Sequence, residues 1–160
     1  MGVRARRGVT DAKLVELRLE FRALIAGIMG GLEGSGWQPK ISNARRTRAQ
    51  QAEKIRLGYA MPGARNPGSH GWGLACDIID RRHGWEVSET AARFFAELGD
   101  LALGAGLTWG GTWFGVGGTR EHPTHTSPWN KWQVGWDPAH VQWPQQEIPP
   151  EWRTDYPPEF

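Results

Sequence analysis

Two short stretches far apart in the chain hold the side chains best suited to chemistry. The first is His70-Gly-Trp-Gly-Leu-Ala-Cys-Asp77 and the second is Trp136-Asp-Pro-Ala-His140. Together they offer His70, Asp77, Asp137 and His140: two imidazoles and two carboxylates, the inventory of a zinc site with a base beside it. His70 and Asp77 are seven residues apart across a loop-to-strand junction, so the helical His-Glu-x-x-His arrangement does not apply. A loop residue and a mid-strand residue can still converge above a sheet, and His140 on a nearby strand adds a third ligand. Three protein ligands with one position left for water is the open form of catalytic zinc. A closed structural site would use four ligands, usually cysteines, and this chain has only Cys76. Asp137 lies three residues before His140, at a turn-type Asp-Pro pair. There its carboxylate could sit beside one ion without entering the ligand shell, take a proton from attacking water and return it to a leaving amine. The bland alternative is a buried hydrogen-bonded network without metal.

The elements that must position these groups follow from periodicity. Thr10 or Asp11 can cap a helix running to Leu32, with Leu14, Leu17, Phe21, Leu24, Ile28 and Leu32 as its stripe and Val15, Ile25 and Met29 widening it. Gly30, Gly31 and Gly34 stop it. Trp37 to Ser42 reads as a short strand, and Arg45 to Leu57 as a second helix with Ala49, Ala52 and Ile55 inward. Pro62, Gly63, Pro67 and Gly68 mark a loop before His70. Leu74 to Ile79 is the clearest strand. It places Ala75, Asp77 and Ile79 on one face and Leu74, Cys76 and Ile78 on the other. A carboxylate on such a strand is costly unless paired, protonated or bound to metal. Ser88 can cap a third helix to Leu103. Leu107 to Trp113 reads as a strand bent at Gly110 and Gly111. Phe114 to Lys131 is a long polar loop of the kind that rims sites, and Trp132 to Trp143 returns to strand pattern, with His140 and Gln142 on one face. The expected fold is α+β: a small antiparallel sheet with helices packed on one side and the zinc site in a groove over it. Residues 1–143 form a single domain in this reading, and 144–160 a proline-rich extended tail outside the site.

Composition narrows the function classes. With 39% hydrophobic and 22% charged residues in 160 positions, the chain is of globular rather than disordered type. Its net charge of +2 is too small to argue for nucleic acid. Arg4, Arg6, Arg7 and the Arg45 to Arg48 cluster predict no more than weak, nonspecific retention on DNA. Cys76 alone allows no internal disulfide and reads as a small buried hydrophobe. No window is apolar enough for a membrane span, and no apolar core follows the first arginines, so no signal peptide is expected. Ten tryptophans either line a groove for sugars or peptides or fill a thin core. His83, His122 and His125 read as surface residues rather than a second metal site.

The pattern His-x-x-Gly-x-Ala-x-Asp at His70, Gly73, Ala75 and Asp77, followed by Asp-x-x-His at Asp137 and His140, resembles the zinc D-alanyl-D-alanine carboxypeptidase family. That family includes VanX and VanY and the L-alanyl-D-glutamate endopeptidases of phage endolysins. Gly106 to Trp113 resembles the segment those endolysins carry before the final Asp-x-x-His, and the similarity spans roughly Trp37 to Trp143. The resemblance implies one zinc ion on His70, Asp77 and His140, with Asp137 as catalytic acid/base. The aspartate points to the endolysin branch, because VanX-type members are expected to carry glutamate. The family also uses an upstream arginine for substrate or oxyanion. Ser42-Asn-Ala-Arg45-Arg46-Thr47 offers two registers, Arg46 preferred for its Arg-Thr pair and Arg45 as the second candidate. The family's serine two residues before its first histidine is Gly68 here, and Ser69 adjoins His70.

The resemblance implies a monomeric enzyme that hydrolyses peptidoglycan stem peptides during host lysis. It would wait in the host cytoplasm until a holin or similar partner opens the way to the wall, without inserting into the membrane or binding nucleic acid specifically. The rivals are a D-alanyl-D-alanine carboxypeptidase using the same site and a non-catalytic zinc or wall-binding module.

Overall fold

The computed structural model describes residues 11–59 and 68–154. The expectations for Arg4, Arg6, Arg7, Thr10, Pro62, Gly63, Pro67 and the end of the tail lie outside these residues. The architecture is α+β. Four strands, β1 (Pro39–Asn43), β2 (Ala75–Asp80), β3 (Thr108–Trp109) and β4 (His140–Gln142), form one sheet in the order β1-β2-β4-β3, every pair antiparallel. Three helices accompany it: α1 (Leu19–Gly34), α2 (Arg48–Arg56) and α3 (Glu89–Gly104). Among the described residues no helix is long and apolar enough to cross a membrane.

The pairings divide the sheet into two faces. Ile41 opposes Ile78, and Cys76, Val141 and Trp109 align across β2, β4 and β3. All five are buried, and they pack with Phe21, Ile25 and Leu32 of α1 and Phe94, Phe95 and Leu98 of α3 in one core. On the opposite face Asn43, Asp77 and His140 stand side by side across β1, β2 and β4. Strict alternation from Ile41 would turn Ser42 toward that face and Asn43 toward the core. A bulge between Ile41 and Asn43 shifts the register and brings Asn43 opposite Asp77.

Several elements depart from the periodicity, each for a tertiary reason. The first predicted helix is two pieces. Asp11 caps a 3₁₀ turn over Ala12–Glu16 through a 2.9 Å bond from the Lys13 amide, and α1 starts only at Leu19. At the break the Arg18 amide donates to Gly73 O at 3.0 Å, tying the start of α1 to the loop after His70. Val15, expected in the apolar stripe, is exposed. In α2 the residue facing inward is Gln51, while Ala49 and Ala52 are exposed. Thr47 and Gln50 close a capping box at its start. The last two predicted strands are short. Gly110–Thr112 turns into a 3₁₀ segment, and residues 132–139 form turns because the Gly135 and Trp136 amides donate to Gly111 O and Trp113 O. The described part of the segment after β4, residues 143–154, is not extended throughout. It makes 3₁₀ turns over Gln145–Glu147 and Pro150–Trp152, buries Ile148, and sets Trp152 against Trp143 and under the Arg18 guanidinium.

Asp80 closes β2 as a structural carboxylate. It is buried and accepts from the Gln38 amide at 2.8 Å, the Arg82 amide at 2.9 Å and the Arg82 guanidinium. Burial raises its pKa, but the Arg82 and Gln38 bonds and the Arg82 charge outweigh it and hold it below the ordinary value. A depressed carboxylate adds stability that is complete above the unfolded value of about 4 and is lost as pH falls through the folded one. Asp80→Asn is expected to cost about 1–3 kcal/mol at pH 7, with the gap to wild type narrowing at pH 3, as measured by urea unfolding at both pH values.

Candidate functional site

Each ionisable side chain of the two sequence stretches arrives from a different element. His70 ends a 3₁₀ turn, Gly68–His70. That turn is anchored by Leu74 N to Ser69 O at 2.9 Å and by the Arg46 amide to His70 O at 3.2 Å. Asp77 is mid-strand on β2, directly opposite His140 on β4. Asp137 stands in the turn before β4, whose geometry follows from its neighbours. The Trp109 indole donates to Pro138 O at 2.6 Å, the His140 amide to Asp137 O at 3.2 Å, and the Ile78 amide to Ala139 O at 3.0 Å.

The three expected ligands converge. His140 Nδ1 lies 3.3 Å from Asp77 Oδ1, and His70 Nε2 lies 4.0 Å from the same oxygen. One donor atom from each of the three residues falls within 4.8 Å of the others, the one such group of three among the described residues. Donors about 2.0–2.1 Å from a shared tetrahedral zinc would stand roughly 3.4 Å apart, so the cluster fits a small divalent ion after a slight contraction. The far side of each ring supports the same reading. His70 Nδ1 meets Ala44 O at 2.8 Å and His140 Nε2 meets Gln142 Oε1 at 2.8 Å. Both partners are acceptors, so each ring can keep a proton on its outer nitrogen; an ion would displace the proton that His140 Nδ1 shares with Asp77 and take a lone pair from each inward nitrogen. Asn43 Nδ2 donates to Asp77 Oδ2 at 3.3 Å, leaving Oδ1 for the centre. Asp137 Oδ2 is 3.9 Å from His140 Nδ1, beside the cluster.

Burial and charge give the four groups different proton affinities. Burial, helped by the charges of His140 and Arg46 and opposed by Asp77, brings His70 down to about 4. His140 is also pushed down by burial, but the hydrogen bond and charge of Asp77, helped by Asp137, raise it overall. Burial lifts Asp77, yet His140, His70 and Asn43 hold it below the ordinary value. Asp137 rises to about 6, chiefly through burial and then the Asp77 charge, against the pull of His140 and Arg46.

These groups form the floor of an open cleft of about 730 Å³. Arg46, Lys54, Tyr59, Trp85 and Trp136 stand on its walls. Arg46 is held by its Nη1 bond to Gln51 Oε1 at 2.8 Å, and its Nε is buried without a partner. Arg45 does not line this cleft; it faces a neighbouring hollow. Ser69 Oγ is buried without a partner. His83 and Glu86 stand 3.6 Å apart at the surface. His122 and His125 are exposed, and His125 stacks on Trp136 at 5.2 Å. Sequence reasoning missed Asn43, which only the bulge turns toward Asp77, and Ala44, which acts through its carbonyl. Gln142 was signalled by sharing a face with His140, although its bond to the ring was not foreseen.

The chain matches no family profile and no curated protein. Among solved structures it is similar to the Serratia marcescens L-Ala D-Glu endopeptidase ChiX, with a TM-score of 0.57 and 17% identity over 85% of this chain and 86% of that one. It is also similar to the LdcB LD-carboxypeptidase, with a TM-score of 0.51 and 15% identity over 79% of this chain and 58% of that one. At these identities the likeness is one of fold.

Two outcomes follow from the geometry. Titrated with zinc, the metal-free protein is expected to take up one ion per chain. Asp77→Asn should abolish uptake, and Gln142→Ala should weaken it about 10–100-fold by freeing the His140 ring; competition with a chromogenic chelator reads both. At Gly110 a Cβ would overlap the Asp137 carbonyl. Gly110→Ala should therefore displace the turn that holds Asp137, with a cost of about 1–3 kcal/mol visible in thermal unfolding.

Proposed function

We propose that this protein is a zinc-dependent peptidase that hydrolyses an amide bond in peptidoglycan stem peptides, of the L-alanyl-D-glutamate type. The observation that carries the reading is the meeting of His70 Nε2, Asp77 Oδ1 and His140 Nδ1 on the floor of an open cleft, with the Asp137 carboxylate beside them. A fold shared with the L-Ala D-Glu endopeptidase ChiX supports the substrate class. The sequence motifs point to the same chemistry independently, and their likeness to phage endolysins favours host lysis as the setting.

His70, Asp77 and His140 would hold the ion, which supplies Lewis acidity: it polarises an amide carbonyl and makes water more acidic. Asp137 does the proton work. Its elevated pKa makes it a better base than an ordinary aspartate while leaving it ionised above about pH 6. It accepts a proton from water as the oxygen attacks the carbonyl carbon. It then delivers that proton to the amide nitrogen as the C–N bond breaks, so the products are a carboxylate and an amine. Arg46 offers its unpartnered Nε to the oxygen on which negative charge grows. Trp136 and Trp85, partly exposed on the walls, give an extended peptide apolar surface to lie against.

The likeness in fold to the LdcB LD-carboxypeptidase favours a second reading, removal of a terminal residue by the same groups. Analysis of muropeptide products separates the two: new L-alanine carboxyl ends mark the endopeptidase, and a released terminal amino acid marks the carboxypeptidase. Asp137→Asn keeps the side chain's shape and removes the base. It is expected to retain zinc and lose about 10²–10⁴-fold in kcat/KM. Unchanged hydrolysis in a zinc-loaded Asp137→Asn protein would overturn the mechanism.

A further inference from the structure

Beside the main cleft, and sharing Arg46 and Lys54 with it, lies a smaller hollow of about 270 Å³. Its own walls bring Lys13, Arg45 and Gln50, with Glu16 as their single carboxylate. Four cationic side chains thus face one anionic one. Among the described residues, none of the four has an ion-pair partner within 4 Å. Lys13 Nζ donates to a neutral acceptor, Ser42 O, at 2.8 Å. The Nε atom of Arg45, which the hydrolytic step does not use, is buried without a hydrogen-bond partner. Buried guanidinium donors without acceptors are costly, and the cost falls when an anion supplies them. A planar carboxylate suits the guanidinium fork, with lysines as supporting point charges.

The hollow shares Asn43, Arg46 and Lys54 with the cleft in which the substrate would lie. A glutamate joined into a peptide through its amine and one carboxyl keeps its other carboxyl free. We infer that the hollow formed by Lys13, Arg45 and Lys54 beside Arg46 is a carboxylate subsite, which selects stem peptides whose residue next to the cleaved bond carries a free acid rather than an amide. The inference rests on the peptidase reading of the main cleft. A carboxamide keeps the shape of the acid, loses its charge, and turns an N–H₂ donor toward a wall made of donors. The hollow thereby reads the modification state of the substrate, a choice that the hydrolytic groups on the cleft floor do not make.

The test is equilibrium binding, by calorimetry, of two synthetic stem peptides that differ only as free acid and carboxamide. Binding is measured on the zinc-loaded Asp137→Asn protein so that neither peptide is consumed. The acid is expected to bind about tenfold more tightly than the amide. Adding Lys13→Gln and Arg45→Gln together should bring that ratio close to one. Glu16→Gln, which removes only the hollow's negative charge, should raise the ratio and guards against a double variant that fails to fold. Equal affinity for the two peptides in the parent protein, or a ratio that Glu16→Gln fails to raise, overturns the subsite, as does a ratio that survives in a folded double variant. Because the readout needs no turnover, discrimination of this kind in a protein whose wild type cuts neither peptide would sink the peptidase reading and leave the subsite standing.

Discussion

A carboxylate planted in the middle of a sheet, with two imidazoles against one of its oxygens, is the feature that the surrounding structure must accommodate. The Asp77 side chain is only 13% exposed, and a charge so placed is costly without compensation. The compensation is directional. Asn43 engages one oxygen, while His140 and His70 approach the other. The rings do not turn their outer nitrogens inward, because the Ala44 carbonyl and the Gln142 amide oxygen hold them. Without an ion, a proton between His140 Nδ1 and Asp77 Oδ1 holds the group together; a divalent cation in its place would take an electron pair from each of the three side chains.

The scaffold matters because it fixes this geometry from beneath. The opposite face of the same strands is a fully buried apolar surface, with Cys76, Ile78 and Val141 packed on α1 and α3. Cys76 behaves there as a small hydrophobe, and its burial raises the thiol's pKa well above the ordinary value. Trp109 connects the two faces. Its ring is part of the core and packs against Gly99 of α3, and its indole N–H holds the Pro138 carbonyl in the turn that carries Asp137. Core packing therefore reaches the catalytic candidate through one side chain.

The two carboxylates of the site have been pushed apart by their surroundings. Asp77 is held ionised by hydrogen bonds and neighbouring imidazoles, whereas burial, with the Asp77 charge adding to it, lifts Asp137 to about 6. Such a pair divides labour: one carboxylate stays an anion and the other can gain and lose a proton near neutral pH. Arg46 tempers both charges from the cleft wall, and its own pKa is lowered by burial. Positive charge continues past Arg46 into the hollow of Arg45 and Lys13, so the cleft grades from an anionic floor to a cationic flank.

The motif residues could be picked out in the linear chain because their chemistry is local to residue type. A histidine, a strand carboxylate and a distant Asp-x-x-His stand out against apolar neighbours whatever the fold. The alternation around Asp77, the Ser88 cap and the apolar stripe of α3 were legible for the same reason: each depends on residues a few positions apart. The α+β architecture followed from those elements. Tertiary structure alone decided the bulge that turns Asn43 to the site, the break before α1 imposed by Gly73, the inward turn of Gln51 and the packing of residues 144–154 on the domain. It also separated Arg45 from Arg46: both line the hollow, and only Arg46 reaches the cleft as well. Neighbouring arginines look alike in sequence. What distinguishes them is the backbone anchor of Arg46 on the His70 carbonyl and the reach of its guanidinium to Gln51, contacts that exist only once distant segments have met.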